Sequence, residues 1–313
     1  MSNTFGKIYK TTIFGASHDQ NIGVVIEGLP IGYEINFEEL EKDLKRRRPN
    51  KITETPRIEE DRLSFISGIK DGKTTETPLV ITVPNECFVA KDYNFDIFRP
   101  NTSDYSRFIK YGEDRWKSGS GMSSGRMTVA LVIAGFFAKK ILQSKGIEII
   151  SQILFAKPGF GSKIRIVATN MISGMGDPFF DSCESIISHM FFSIPAVKGI
   201  NFGSILDNYN KDQMNNLDPF IYDGKKVKTK HNHDGGIQGG ITNGSDILFD
   251  VLLKPIPTIS EEIKTLNTNY EEVNYKNEGA HDKDISERVR IVLENSLAIV
   301  LYDLYRMSEK FKD

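Results

Sequence analysis

Several segments of this sequence hold side chains whose types and spacing could carry out chemistry. In residues 14–32, Ser17 and His18 follow a glycine and precede an apolar stretch. Histidine titrates near neutral pH and can donate a proton to a leaving oxygen atom, so His18 is a candidate general acid. The structural alternative is a surface-loop histidine bonded to Asp19, and this segment taken alone favours that alternative.

A run of three arginines, Arg46, Arg47 and Arg48, lies within residues 42–51. Guanidinium groups bind phosphate or carboxylate through two parallel hydrogen bonds, which makes this run a candidate anion site. Cations at the C-terminus of a helix also interact favourably with the helix dipole. The run taken alone favours this structural interpretation and is weak evidence for an anion site.

A loop rich in glycine and serine, within residues 99–128, leads into an apolar helix. Free N–H groups at such a junction bind anions, and Ser123, Ser124 and Arg126 add further donors. An ordinary N-cap with a flexible loop explains the same composition equally well. The loop is not a P-loop, because it lacks the Gly-Lys-Ser/Thr ending.

Histidine, aspartate and glycine residues crowd together after residue 230. His231, His233 and Asp234 could be metal ligands, but their spacing and the lack of a fourth ligand argue against this, and we predict no metal. The four glycines within residues 235–240 predict close packing of the backbone against a planar ligand. Asp282 precedes the C-terminal helix, where N-capping is the structural alternative to a role in chemistry.

Helices and strands must position these segments. Residues 36–47 form a predicted helix capped by Asn36, and residues 124–145 and 286–310 predict helices that are apolar on most faces and therefore central and buried. Strands and long helices without regular β-α-β alternation predict an α+β fold. Runs of β-branched residues between glycine-rich turns predict strands, among them Val24–Ile26, Leu79–Val83 and Ile247–Leu253.

The composition limits the classes of partner. The chain has 313 residues and a net charge of −2, so we expect one domain over residues 1–313 with neither nucleic acid nor membrane as a partner. Its longest apolar run, residues 129–138, is about half of a membrane span. Cys87 and Cys183 lie far apart and the N-terminus lacks the apolar stretch of a signal peptide, so a cytoplasmic protein is expected.

Taken together and in order, these segments resemble the motifs of the chorismate synthase family. The family's FGESHG is similar to FGASHD at residues 14–19, its RRRPG to RRRPN at residues 46–50, and its GGGRSSARET to GSGMSSGRMT at residues 119–128. The similarity covers nearly the whole chain, which is identified as a divergent member. Further similar segments follow in the family's order: PRIEED, DGKTTETP, SIPAVKG, NHDGGIQGGITNG, KPIPT and GAHDKD.

The resemblance implies a fold and a reaction. The fold is an α+β sandwich, a single domain with central helices between antiparallel β-sheets, assembled as a homotetramer. The reaction removes phosphate and a ring hydrogen from 5-enolpyruvylshikimate 3-phosphate by anti-1,4-elimination, giving chorismate in the shikimate pathway. It needs reduced FMN but produces no net redox change. Because no dinucleotide motif appears in the sequence, we expect the flavin to be reduced by an external source.

The resemblance also implies roles for single residues. His18 matches the histidine that protonates the leaving phosphate, and Asp282 matches the aspartate near flavin N5. Ser17 and Ser124 match polar partners of the catalytic site. The positions matching the surroundings of the substrate are Arg47 and Arg57. The positions matching cofactor contacts are Met122, Ser123, Ser124, Pro195, Ala196, Gly239, Lys254, Pro255, Ile256, Pro257, Thr258 and Ala280.

Four of the family's charged or titratable side chains are replaced in this chain. Thr102 stands where the family has a second histidine, and Met127 stands where it has a glutamate. Met122 and Ala280 each replace an arginine. Each charge-assisted contact is worth about 1.5–3 kcal/mol, so these losses predict weak binding of oxidised FMN.

Two functions therefore stay open. One is a working synthase with an altered flavin pocket, and the other is a homologue that binds FMN or a phosphorylated ligand without turnover. In either case we expect His18, Arg47, Ser124 and Asp282 to line one cleft. The residues that could compensate for the lost charges are His231, His233 and Lys117.

Overall fold

Two antiparallel β-sheets form the outer layers of the protein. The computed structural model describes residues 3–49, 60–85, 96–112, 120–257, 259, 261–276 and 284–309. In spatial order, the strands of sheet 1 are β1 (Thr4–Phe5), β2 (Lys10–Gly15), β3 (Asn21–Glu27), β7 (Leu79–Pro84) and β4 (Ser64–Ser67). Those of sheet 2 are β10 (Val197–Phe202), β15 (Ile247–Leu253), β9 (Ser162–Thr169) and β8 (Glu148–Phe155).

Four two-stranded ribbons and six helices complete the described part of the fold. The ribbons are β5 (Ile69–Lys70) with β6 (Lys73–Thr74), β11 (Phe220–Tyr222) with β12 (Val227–Thr229), β13 (Ile237–Gln238) with β14 (Ile241–Thr242), and β16 (Ile263–Leu266) with β17 (Glu272–Tyr275). The helices are α1 (Phe37–Arg47), α2 (Asp104–Tyr111), α3 (Thr128–Ser144), α4 (Cys183–Phe192), α5 (Ile205–Asn208) and α6 (Ser286–Glu309).

Helices α3 and α6 lie between the two sheets, so the α+β sandwich is confirmed. Helix α3 packs on β2 and β3 of sheet 1 and on β8 of sheet 2, while α6 packs on β8 and β9. Every residue from Ile291 to Leu304 is buried. The stretch Gly125–Ser144 is long and apolar enough to cross a bilayer, but 83% of its apolar window lies inside the protein. Both predicted central helices are thus core elements.

Close packing of α3 against α6 depends on a glycine. A Cβ atom at Gly135 would lie 2.2 Å from the carbonyl oxygen of Asn295, so only glycine fits at this crossing. The Asn295 amide donates to the Val132 carbonyl at 2.8 Å and to the Asp43 carboxylate at 3.1 Å. Asp43 also accepts from Lys139 at 2.5 Å, which ties α1 to both central helices.

The N-terminal segment is fixed to α6 by one carboxylate. Asp303 accepts backbone N–H groups from Lys7, Ile8 and Tyr9 at 2.9, 2.7 and 2.8 Å. This buried contact sets the start of β2, and the far end of β2 leads into the turn that carries Ser17 and His18.

The helix limits agree with the prediction except at one end. Asn36 caps α1 by accepting from the Glu39 N–H at 3.1 Å, as predicted. Helix α3 begins at Thr128 and not at Ser124, because Ser124 instead caps the short 3-10 turn Gly125–Met127.

Candidate active site

The turn that follows β2 presents the Ser17–His18 pair. Ser17 is buried, and its hydroxyl lies 2.7 Å from His18 Nδ1. The Ser17 N–H donates to the Gly121 carbonyl at 3.3 Å, so two of the chemically interesting segments are in direct contact. His18 is therefore oriented by Ser17. The structural alternative required a hydrogen bond between the side chains of His18 and Asp19, and the described residues show no such bond.

Asn85, at the end of β7, holds this turn at both ends. Its amide nitrogen donates to the Ala16 carbonyl at 3.1 Å and to the Asp19 carbonyl at 2.6 Å. Its amide oxygen accepts from Nε of Arg126 at 3.0 Å. Arg126 in turn donates to the Pro84 carbonyl at 3.1 Å. The turn that carries His18 is thus bonded to the loop that carries Ser124.

A buried carboxylate joins this arrangement to the arginine run. The Asp61 side chain has no exposed surface and pairs with Arg126 and, at 2.6 Å, with Arg47. Burial alone would raise the pKa of Asp61, but the two guanidinium groups outweigh it and hold that pKa below its usual value. Burial lowers the pKa of Arg47 despite the attraction of Asp61. Nε of Arg47 is buried without a hydrogen-bond partner among the described residues, which leaves one donor for a ligand.

The other two arginines of the run have structural partners. Arg46 forms two hydrogen bonds with Glu294 at 2.7 and 2.8 Å, and Arg48 bonds Glu41 at 2.8 Å. For Arg46 the contacts support the structural interpretation of the basic run, whereas Nε of Arg48 also lies 3.9 Å from the Asp61 carboxylate.

Arg107 is a cation that the motif analysis missed. Its side chain is buried beside Gly121, since a Cβ atom at Gly121 would lie 2.6 Å from Nη2 of Arg107. Burial lowers the pKa of Arg107 while Asp104 opposes that shift. Met122, which replaces a family arginine, is the next residue and is exposed. A guanidinium group therefore stands next to the position where one was lost. Arg107 sits on α2, 15 residues upstream, so sequence spacing could not reveal this proximity.

Lys254, Ala196 and the loop before α2 meet at the same side of the molecule. The Lys254 N–H donates to the Ala196 carbonyl at 2.9 Å, and its ammonium donates to the Asn101 carbonyl at 2.5 Å. Desolvation and the neighbouring Lys198 lower the pKa of Lys254. Among the described residues, neither lysine pairs with a carboxylate, so the pair would gain from an anionic ligand. Pro195, Ile256 and Pro257 are partly exposed beside them, and Pro255 is exposed.

Thr102 belongs to this loop and has a structural role. Its hydroxyl donates to the Arg99 carbonyl at 2.8 Å and accepts from the Asp104 N–H at 3.3 Å, which caps the start of α2. Met127, which replaces a family glutamate, is buried in the core. Ser123 is exposed, and the Ser124 hydroxyl accepts from the Arg126 N–H at 3.2 Å.

Gly239, His231 and His233 lie near the end of sheet 2 that is opposite to Lys254 and Ala196. The Cys183 N–H, at the start of α4, bonds the Gly240 carbonyl, whereas Ala196 follows the end of that helix, about 15 Å away. His233 contacts Ser204, which follows β10, and the adjacent Gly203 bonds Leu248 near the start of β15. Lys254 follows the other end of β15, about 20 Å away. Within one chain, His231 and His233 therefore lie at the opposite end of sheet 2 from Lys254.

The glycine pairs are explained mostly by the protein itself. A Cβ atom at Gly235, Gly236 or Gly240 would lie within 2.7 Å of protein atoms of Leu248, Asp246 and Ser182. Packing within the protein therefore accounts for glycine at three of the four positions, and contact of the four with a planar ligand stays a prediction. Gly239 differs, because a Cβ atom there would meet nothing within 4 Å.

Arg57, Thr258, Ala280 and Asp282 lie outside the described residues, as does Lys117. At the start of α6 the Asp284 carboxylate accepts from the Ser286 N–H at 2.9 Å. Arg288, one turn into α6, donates to the Arg47 carbonyl at 3.1 Å. The start of α6, which Asp282 precedes in sequence, therefore adjoins the Arg47 end of the site.

A cavity of about 520 Å³ adjoins the Asp61 end of this arrangement. Among the described residues its walls combine the aromatic rings of Phe37 and Phe65 with charged side chains that pair with one another, such as Arg62 with Glu60. His18 and Ser124 are not among those walls. The cavity is thus a neighbour of the site and not its centre.

Three comparisons bear on the identity of this site. The sequence profile of the chorismate synthase family matches residues 9–159 and 155–305. The chain is 35% identical to a chorismate synthase of Microcystis aeruginosa over 351 residues, covering 97% of this chain and 96% of that protein. It is 37% identical to a chorismate synthase of Chitinophaga pinensis over 328 residues, covering 98% of each. A crystal structure of chorismate synthase shares the fold with a TM-score of 0.75 at 22% identity, covering 98% of this chain and 94% of that one.

Proposed function

This chain belongs to the chorismate synthase family, a family of carbon–oxygen lyases, and we propose that it converts 5-enolpyruvylshikimate 3-phosphate to chorismate. The observation that carries the proposal is the Ser17–His18 pair, packed against the loop of Gly121 and bonded through Asn85 and Arg126 to the rest of the site. The same arrangement supports turnover over mere binding, because it orients a titratable group as well as anion-binding ones.

The proposed chemistry divides between His18 and the surrounding cations. The carbon–oxygen bond to phosphate breaks with its electron pair, and His18 supplies a proton to the departing oxygen. Loss of the ring hydrogen as a proton then completes the new double bond, and Asp282 is proposed to lie beside its path. Arg47 and Arg57 are proposed to hold the anionic groups of the substrate.

The residues present fit a flavin with an anionic tail. Reduced FMN, when bound, supplies transient electron density and a group that accepts the ring proton. The lysine pair Lys198 and Lys254 lacks a carboxylate partner among the described residues, and Arg107 borders the loop of Met122, Ser123 and Ser124. These cations are proposed to bind the phosphate or the reduced ring in place of the missing arginines. The peptide at Pro195–Ala196 and the segment Lys254–Thr258 are proposed to border the same ligand.

Gly239 is proposed to reach the flavin from a neighbouring copy of the chain. Its open surface fits contact with a ligand, but it lies at the opposite end of α4 from Ala196. A homotetramer would bring the Gly239 hairpin of one copy to the site of another, so the site is proposed to be completed by assembly. His231 and His233 are near that hairpin and would approach the neighbour's site in the same way.

An anaerobic assay with pre-reduced FMN and the phosphorylated substrate tests the proposal directly through formation of chorismate. The His18→Ala variant should lose about 10²- to 10⁴-fold in kcat, the usual range for removal of a general acid. The matched control is His189→Ala, because His189 is exposed on α4. A wild-type protein that binds FMN and substrate but forms no chorismate would show a binding homologue instead of a synthase.

A further inference from the structure

The chain Asp61–Arg126–Asn85 connects the two ends of the candidate site through direct hydrogen bonds between side chains. At one end Asn85 bonds both carbonyls that bracket Ser17 and His18. At the other end Asp61 bonds the guanidinium of Arg47. We infer that Asp61, Arg126 and Asn85 are positioning residues, which hold the His18 turn and Arg47 at a fixed separation for the proposed elimination. The inference rests on the proposed function for its kinetic readout.

Each link in this chain uses a donor or acceptor that has no equivalent substitute. Each guanidinium nitrogen of Arg126 donates a hydrogen bond to a different acceptor: Nε to Asn85, Nη1 to Asp61 and Nη2 to the Pro84 carbonyl. A lysine could make only one of these directional contacts well. Because a guanidinium is planar and rigid, the position of Asp61 determines where the amide of Asn85 can lie.

Burial makes the chain rigid. The exposed fraction of the side chain is 0% for Asp61, 8% for Arg47 and 9% for Arg126. Charges in such surroundings are poorly screened, so moving one partner away from another is costly. The lowered pKa of Asp61, caused by its two arginines, is consistent with a carboxylate that stays ionised in this position.

Such rigidity matters because the two ends act on different parts of one substrate. His18 is proposed to act on the leaving phosphate, while Arg47 is proposed to bind a charged group of the same molecule. A displacement of about 1 Å between positioning and reacting groups can cost about 10²-fold in rate. A surface-loop histidine with its own mobility could not maintain that separation, whereas a turn bonded at both ends can.

The Asn85→Asp variant separates positioning from stability. A carboxylate has nearly the same shape and still accepts from Arg126, more strongly than before, but it cannot donate to the Ala16 and Asp19 carbonyls. We expect kcat to fall about 10- to 100-fold while KM for the substrate and the melting temperature change little. The titration of the His18 ring signals, assigned by comparison with His18→Ala, should differ from that of wild type, because the turn that carries the ring is no longer bonded at both ends.

The matched control is Asn216→Asp. The Asn216 amide also donates to backbone carbonyls of a turn, those of Asn208, Lys211 and Asp212 at 3.2–3.3 Å, but it lies in the segment after α5. This variant should keep wild-type kcat and His18 titration. A second variant, Asp61→Asn, should lower kcat and also raise KM, because it releases Arg47 along with Arg126.

The outcomes are distinguishable. Wild-type kcat and His18 titration in Asn85→Asp would overturn the inference, and so would equal losses in Asn85→Asp and Asn216→Asp. If the wild-type protein forms no chorismate, the proposed function fails, but the His18 titration in Asn85→Asp and in the control still tests whether the chain of side chains positions this turn.

Discussion

Asp61 and Asp250 are both carboxylates without exposed surface, and each bonds to at least two cationic side chains. Their partners differ. Arg47 and Arg126, the two arginines hydrogen-bonded to Asp61, are less than one-tenth exposed, whereas Lys163 and Arg165 on Asp250 are 33% and 31% exposed. Burial lowers the pKa of Arg47, while the hydrogen bond that Arg165 donates to Asp250 raises the pKa of Arg165.

The contacts beyond each carboxylate show what this difference means. Arg126 continues from Asp61 to Asn85 and so to the His18 turn. Lys163 and Arg165 lie on β9, beside Asp250 on β15, and their pairing reinforces two strands that are already bonded to each other. A buried ion pair that links separate loops holds those loops in a fixed relative position, which is a role beyond stability. One that links neighbouring strands has only a local role.

The largest expected effect is on the free energy of unfolding. Asp61→Ala leaves Arg47 and Arg126 buried without their carboxylate and should cost about 3–5 kcal/mol. Asp250→Ala should cost only about 1 kcal/mol, because Lys163 and Arg165 can turn to water. Urea denaturation of both variants measures the two values. Equal losses of unfolding free energy in the two variants would show that Asp61 and Asp250 contribute equally to stability, which would contradict the difference drawn between them.

The next effect concerns the buried cation beside Met122. Arg107→Met should weaken binding of reduced FMN by about 10- to 100-fold, equivalent to one charge-assisted contact of about 1.5–3 kcal/mol. Anaerobic calorimetry measures the affinity without turnover. Arg165→Met, which removes a cation from the Asp250 side, should leave it unchanged.

The double variant Arg107→Met with Met122→Arg sharpens this result. It returns a guanidinium to the same loop from the family's position and should recover most of the affinity. If the single variant loses no affinity for FMN and the double variant gains none, neither cation contacts the flavin.

The sequence predicted the core of this fold well and its polar geometry poorly. Apolar residues on all faces identified α3 and α6 as central helices, since only burial on every side tolerates that pattern. Motif order identified the family, because nine similar segments in the same order leave little room for coincidence. The exact start of α3 was missed, since a serine can cap a short 3-10 turn as readily as an α-helix.

The connections between motifs could not be predicted. Asp61, Asn85 and Arg107 carry no special spacing relative to His18 or Met122, and only the folded chain brings them together. The arginine run looked uniform, yet Arg46 pairs with Glu294 away from the site, Arg47 hydrogen-bonds Asp61, and Arg48 bonds Glu41 while its Nε lies 3.9 Å from Asp61. Gly239 looked like its neighbouring glycines, but it alone faces open space. Long-range packing decides each of these cases.

A smaller effect is expected at Thr102, which caps α2 where the family has a histidine. Thr102→His would place an imidazolium beside the loop that Lys254 bonds, and a negative reduced flavin needs such a partner in a partly desolvated pocket. We expect kcat to rise about 10- to 100-fold, at the lower end of acid–base effects.

Thr102→Asn controls for the cap, because asparagine can still accept from the Asp104 N–H without carrying charge. It should keep wild-type kcat. A wild-type enzyme that is already fast, with no response to Thr102→His, would mean that Lys254 or Arg107 already supplies the charge.

The smallest expected effect is on how the stability of the protein changes with pH, and it compares the contributions of Asp61 and Asp250. The pKa of Asp61 and that of Asp250 are both lowered on folding, since their cations outweigh the opposing effect of burial. A carboxylate with a lowered pKa stabilises the fold above its unfolded pKa of about 3.9, and that stability is lost as the pH falls through the folded value. Wild type should therefore lose stability between about pH 5 and pH 3, by about 1.4 kcal/mol for each pKa unit of lowering.

Asp61→Asn and Asp250→Asn should each reduce this loss of stability. Because the two share no partner among the described residues, the double variant should flatten it by the sum. Urea denaturation at a series of pH values measures the slopes, and a non-additive double variant would show that the two sheets are electrostatically coupled.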